Sequence, residues 1–162
     1  MLATSYDTIS PNKQGAPVTN SRRDKDDVPV ERRSPRILLA EDDLEMRRFL
    51  AAALRIDGYD VTEAASGVEV LDRIGPYLYD GMKFDLDLII SDIRMPGVDG
   101  LEILAGLNRC EGAPPVILIT AFGDRQTHAD AERFGAVELL DKPFDINDLR
   151  AVLRRVAPPR SN

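Results

Sequence analysis

The chain has 162 residues, 43% of them hydrophobic, enough for one domain with its own core. With 21 Lys and Arg against 28 Asp and Glu, the net charge of -7 excludes a global attraction to nucleic acid or an anionic membrane and favours a cation site. The single Cys110 excludes an internal disulfide, the first residues lack a secretory pattern, and no apolar run nears the roughly 18 residues of a membrane span, so a cytoplasmic protein is expected.

Residues 1–35, ending "SRRDKDDVPVERRSP", follow neither a period of 2 nor one of 3.6 and are expected to form a disordered tail. From Arg36 the pattern changes. "RILLA" reads as a first strand, and Met46, Phe49, Leu50, Ala53 and Leu54 then share one helical face, which Gly58 ends. "YDVTEA" alternates as a second strand, and Ser66 with Glu69 has the spacing of a capping box opening a second helix. That helix is expected to fade into a loop at "GPYLYDGMKFD". "LDLII" reads as a third strand, "LEILAGL" as a third helix, "PVILI" as a fourth strand, "DRQTHADAERF" as a fourth helix closed by Gly135, and "AVELL" as a fifth strand. Asp145 caps a fifth helix whose Ile146, Leu149, Val152, Leu153 and Val156 make one apolar stripe. The domain is thus expected over residues 36–157, with 158–162 as a short C-terminal tail.

Five strands alternating with five helices predict an α/β fold: a five-stranded parallel sheet, doubly wound, with helices on both faces. In such folds ligands bind beyond the carboxyl ends of the strands. There the sequence places Glu41, Asp42 and Asp43 after the first strand, Asp92 after the third, Thr120 at the end of the fourth and Lys142 after the fifth. Neighbouring carboxylates repel, and one is driven toward protonation unless a cation intervenes. Mg2+ suits an all-oxygen site that keeps waters and shares a phosphoryl oxygen, and no His/Cys set competes for a softer metal. A carboxylate beside such a cation can attack phosphorus. Asp92 is the candidate nucleophile, with Lys142 and the Thr120 hydroxyl as contacts to phosphoryl oxygens. Asp43 reads as a helix cap, and His128, without a Cys or second His, as a surface histidine.

The segments "ILLAEDD", "LIISDIRMPGVDG", "ILITAF" and "LLDKPF" resemble, in order, the motifs of the receiver domain of two-component response regulators, over about Arg36 to Val156. The resemblance implies a flavodoxin-like strand order of 2-1-3-4-5. It implies that Asp92 takes a phosphoryl group from a histidine kinase or phosphotransfer protein. Glu41, Asp42, Asp92 and the backbone carbonyl of Arg94 would hold Mg2+, and Thr120 and Lys142 would bind the phosphoryl group. Gly97 and Gly100 fit the turn behind the acceptor. Leu139 stands where the family has an aromatic switch residue, and Asp141 is an unusual acid before the lysine. Arg94 and Phe122 flank the site.

Two rival functions are an aspartate-nucleophile phosphatase and a receiver-like binding module that works without phosphate. A nucleotide-binding fold lacks its glycine-rich loop, since the first turn is "AEDDLEM". With only "APPRSN" after the fifth helix, a stand-alone receiver is expected, not an enzyme beyond phosphorylating and dephosphorylating itself. Its output would be a contact between the fourth-helix, fifth-strand and fifth-helix face and a downstream protein, or a second copy of the chain.

Overall fold

Strands and helices alternate without exception along residues 33–159, the part that the computed structural model describes. Residues 1–32 of the tail expected over 1–35, and the last residues, 160–162, lie outside it. The strands are β1 (Arg36–Ala40), β2 (Asp60–Ala64), β3 (Leu88–Asp92), β4 (Val116–Thr120) and β5 (Glu138–Asp141). The helices are α1 (Leu44–Ile56), α2 (Gly67–Tyr79), α3 (Gly100–Leu107), α4 (Arg125–Arg133) and α5 (Ile146–Val156). All strand pairs are parallel, in the order β2-β1-β3-β4-β5.

Alternate residues of a strand point to opposite faces, and here both faces are covered. Ile37, Leu39, Leu88, Ile90, Ile117 and Ile119 meet Leu50 and Leu54 of α1 and Leu149 and Leu153 of α5. Leu38, Ile89, Val116 and Leu118 point the other way, to Val70 and Ile74 of α2, Ile103 and Leu107 of α3 and Ala131 of α4. Two sandwiched cores explain why β3 and β4 are buried at every residue. Among the described residues no helix is long and apolar enough to cross a membrane.

The helix starts follow local hydrogen-bond chemistry. Asp43 caps α1 by accepting the Met46 N–H at 2.7 Å, and Asp145 caps α5 by accepting from Asn147 at 2.8 Å. Ser66 accepts from the Glu69 N–H, but the expected reciprocal bond goes elsewhere: Glu69 reaches the Ala65 N–H at 3.0 Å. A complete capping box stands instead at Asp99 and Glu102, opening α3. Arg33, assigned to the tail by sequence, pairs with Asp87 at 2.6 Å.

Two expectations are corrected. The helix α2 continues through Pro76 to Tyr79 rather than fading at Gly75. Proline in a helix interior removes one backbone bond, yet the added turn buries part of Tyr77 and Leu78, and Tyr77 stacks on Phe84 with centroids 5.0 Å apart. Phe49 is also not on the core face: it is 56% exposed, while Leu50, Ala51 and Leu54 are buried. At about 100° per residue the buried stripe centres near Leu54, and Phe49 projects almost opposite. Leu50→Ala should therefore lower the free energy of unfolding by about 2–5 kcal/mol, and Phe49→Ala by less than about 0.5 kcal/mol, as measured by urea denaturation. Equal losses would return Phe49 to the core.

Candidate functional site

At the carboxyl edge of the sheet the chain places Glu41, Asp92 and Lys142 on one side of the pleat. Glu41 continues the alternation of Ile37 and Leu39, Asp92 that of Leu88 and Ile90, and Lys142 that of Leu140, all of which pack toward α1 and α5. The three side chains converge. Lys142 Nζ donates to Glu41 Oε2 at 2.8 Å and to Asp92 Oδ2, although Glu41 and Lys142 are 101 residues apart. The second oxygen of Asp92 accepts the Arg94 N–H at 2.8 Å. Both oxygens of Asp92 are thus held by donors, and its side chain keeps one orientation.

Burial sets the electrostatics. Glu41, Asp92 and Thr120 are 1%, 4% and 1% exposed. Burial raises the Glu41 pKa from its ordinary 4.5, and the charge of Asp92 adds to this while Lys142 opposes it. For Lys142 burial acts downward, but the hydrogen bonds and charges of Asp92 and Glu41 outweigh it and raise the pKa above 10.5. The ammonium is therefore firmly charged. Asp42, at the solvent edge, brings a third carboxylate, and one oxygen each from Glu41, Asp42 and Asp92 lie within 4.8 Å of one another. Three hard oxygens so close, with a single ammonium among them, suit a divalent cation with oxygen preference.

The surrounding loops are built to hold this edge. Gly97 has φ +87° in the turn after Asp92, and Gly100 lies so near that an added Cβ would come within 2.5 Å of the Asp92 carbonyl oxygen. Thr120 closes β4 on the other side of the pleat, and its hydroxyl accepts the Phe122 N–H at 3.1 Å. The Arg94 guanidinium lies 5.1 Å from the centre of the Phe122 ring. Asp42, Arg94, Thr120, Phe122 and Thr127 line a cleft of about 570 Å³ that opens beside Asp92.

Each acid, hydroxyl and lysine named from the sequence thus reaches one edge. Asp43 is a cap, and His128 is exposed but engaged, within 3.0 Å of Asp141. Sequence reasoning missed Arg47, which donates to the Glu41 carbonyl at 2.6 Å and fixes the turn after β1. It also missed buried Ser91, whose hydroxyl donates to the Asp92 carbonyl at 2.9 Å. Neither residue carries a spacing signal, because each acts through one backbone atom.

Fold and site together define a doubly wound α/β protein with a carboxylate and lysine centre beyond its parallel strands. The response regulator receiver domain profile matches residues 37–154, and the chain belongs to that family. It is 31% identical over 127 residues to sporulation initiation phosphotransferase F of Bacillus subtilis, covering 78% of this chain and 97% of that protein. It is 39% identical over 127 residues to the transcriptional activator protein PfeR of Pseudomonas aeruginosa, covering 76% of this chain but 39% of that longer protein. Among solved structures, a receiver domain protein from Clostridium thermocellum superposes with a TM-score of 0.66 at 28% identity, over 75% of this chain and 93% of that one. The response regulator TrrA of Thermotoga maritima, solved in complex with Mg(2+)-BeF, gives 0.64 at 27% identity over 75% and 98%.

The raised Glu41 pKa carries a pH signature. Without a cation, this group favours the folded state below 4.5, and that contribution is lost as pH rises through its folded value. A bound cation competes with that proton, so Mg2+ affinity should begin to fall, on acidification, at a pH above 4.5. Amide NMR titrations with Mg2+ across a pH series check this. Affinity that stays flat down to 4.5 would remove Glu41 from the cation site.

Proposed function

We propose that this chain is the phosphoacceptor of a two-component phosphorelay, with Asp92 as the residue modified. The observation that carries the reading is the buried Asp92, its two oxygens held by Lys142 and the Arg94 N–H, with Glu41 and Asp42 beside it. A carboxylate oxygen of Asp92 attacks the phosphorus of a phosphohistidine on a sensor kinase or phosphotransfer protein. The P–N bond breaks and the imidazole leaves with its electron pair, taking a proton. Such transfer needs positioning and charge neutralisation more than covalent assistance.

Glu41, Asp42, Asp92 and the Arg94 carbonyl are the residues that would hold Mg2+. Bound there, Mg2+ neutralises charge on the phosphoryl oxygens. Lys142, released from part of its present pairing, takes another phosphoryl oxygen as a compact cation, and the Thr120 hydroxyl donates to a third. The Mg(2+)-BeF complex of the Thermotoga relative supports this assignment. The chain's own chemistry is confined to taking up and losing the phosphoryl group, in the cytoplasm where such donors arise. Phosphorylation shifts a two-state equilibrium, and the α4, β5 and α5 face is the surface offered to a downstream protein or to a second copy.

Incubation with acetyl phosphate and Mg2+ should add one phosphoryl group to the intact mass, and Asp92→Asn should abolish it. Modification that survives the substitution would move the acceptor elsewhere. The Arg94 and Phe122 stack covers one flank of the cleft and restricts the approach of water. Phe122→Ala should therefore shorten the phosphoryl lifetime about two- to five-fold, the change that opening the flank gives when it lowers the hydrolysis barrier by roughly 0.5–1 kcal/mol. Decay of the phosphorylated mass with time measures it, and an unchanged or longer lifetime would refute the shielding role.

A further inference from the structure

At the end of β5 the pleat sends neighbouring residues opposite ways. Lys142 turns toward Asp92 and Glu41, whereas Asp141 follows the alternation of Leu139, which packs on the α4 side. There Asp141 Oδ2 accepts from His128 Nε2 of α4 at 3.0 Å. The loop between β4 and α4 closes on the same carboxylate: a Cβ added at Gly123 would fall 1.6 Å from Asp141 Oδ1 and 3.0 Å from His128 Nε2. Helix, strand and loop therefore meet at one polar contact.

That contact is tied to the site from two directions. Asp141 is the register partner of Thr120, and the Lys142 N–H donates to the Thr120 carbonyl at 2.7 Å. The Thr120 hydroxyl in turn holds the Phe122 N–H, one residue before Gly123. A phosphoryl group on Asp92 gives that hydroxyl a new acceptor. A Thr120 hydroxyl turned to that acceptor would carry the bonded Phe122, and with it Gly123, against Asp141. Leu139 is half-buried in the apolar cluster under α4 and has no polar atom with which to report this movement. Ala131 is the only residue of α4 that is fully buried, so little apolar area fixes the helix to the sheet.

We propose that His128 and Asp141 form a latch that holds α4 on β5 before phosphorylation and parts when Thr120 draws the loop inward. The proposal rests on the phosphoacceptor reading and names how that site changes the α4 and β5 surface. By linkage, a contact present only in the resting state opposes phosphoryl binding, and removing it must favour the bound state by the same factor.

The test titrates the full chain with beryllofluoride and Mg2+, following backbone amides and the ring nitrogens of His128 by NMR. Wild type is compared with His128→Leu and Asp141→Ala, which remove the contact, and with His128→Lys, which keeps a donor. All three change exposed side chains and leave the core intact. In wild type, the amides of Asp92 and Thr120 and the ring signals of His128 should move with one midpoint. His128→Leu and Asp141→Ala should show α4 amides already displaced toward their bound positions and should bind up to about five-fold more tightly. His128→Lys should stay near wild type. Movement at Asp92 and Thr120 with an unmoved His128 ring, and unchanged affinity in the two removal variants, overturns the latch and leaves the phosphoacceptor reading standing. No movement at any position overturns both.

Discussion

The ammonium of Lys142 lies between two carboxylates that the fold has taken out of water. Glu41 and Asp92 close strands whose every other residue on that side is aliphatic, so neither can be solvated as an exposed acid would be. A buried charge without a partner is expensive, and removing one member of such a pair typically costs about 3–5 kcal/mol. The lysine offsets that cost, yet one positive charge among Glu41, Asp42 and Asp92 leaves the edge net negative. The same imbalance that makes the edge awkward suits it to a divalent cation.

The strand pleat distributes the work. Residues of one parity gather Glu41, Asp92 and Lys142 toward α1 and α5, and residues of the other carry Thr120 and Asp141 toward α4. The two groups are thereby separated by the thickness of one backbone, with Asp141 and Lys142 as chain neighbours. A sheet buried on both faces is rigid enough to keep the first group in place. The helix α4, with Ala131 as its fully buried contact, is the least anchored neighbour of the second.

Much of this was legible in the residues. Strands buried on both faces announce themselves as unbroken aliphatic runs, and acids at their ends fall on one edge because parallel strands all point the same way. Caps at Asp43 and Asp145 were legible because they act within three residues. What escaped was decided by single contacts that follow no repeating spacing. Pro76 reads as a stop until the stacking of Tyr77 on Phe84 supplies a reason to continue. Phe49 reads as core until the stripe is centred by what β1 and α5 present to it. Arg47 and Ser91 each act through one nearby backbone carbonyl, and His128 meets Asp141 from a neighbouring element, single contacts with no periodicity to betray them.

The strand order leaves β2 and β5 as the sheet's outer edges, and unpaired edges invite further strands to add. Both are poor templates. In β2 the Val61 carbonyl accepts from Arg55 at 2.9 Å, and Glu63 draws Arg47 and Arg55 across the edge. In β5 there are four residues, two of them acidic, ended by Pro143, and Arg155 of α5 reaches over to Glu138. Any self-association beside β5 is therefore steered to side-chain contacts and away from strand-to-strand stacking.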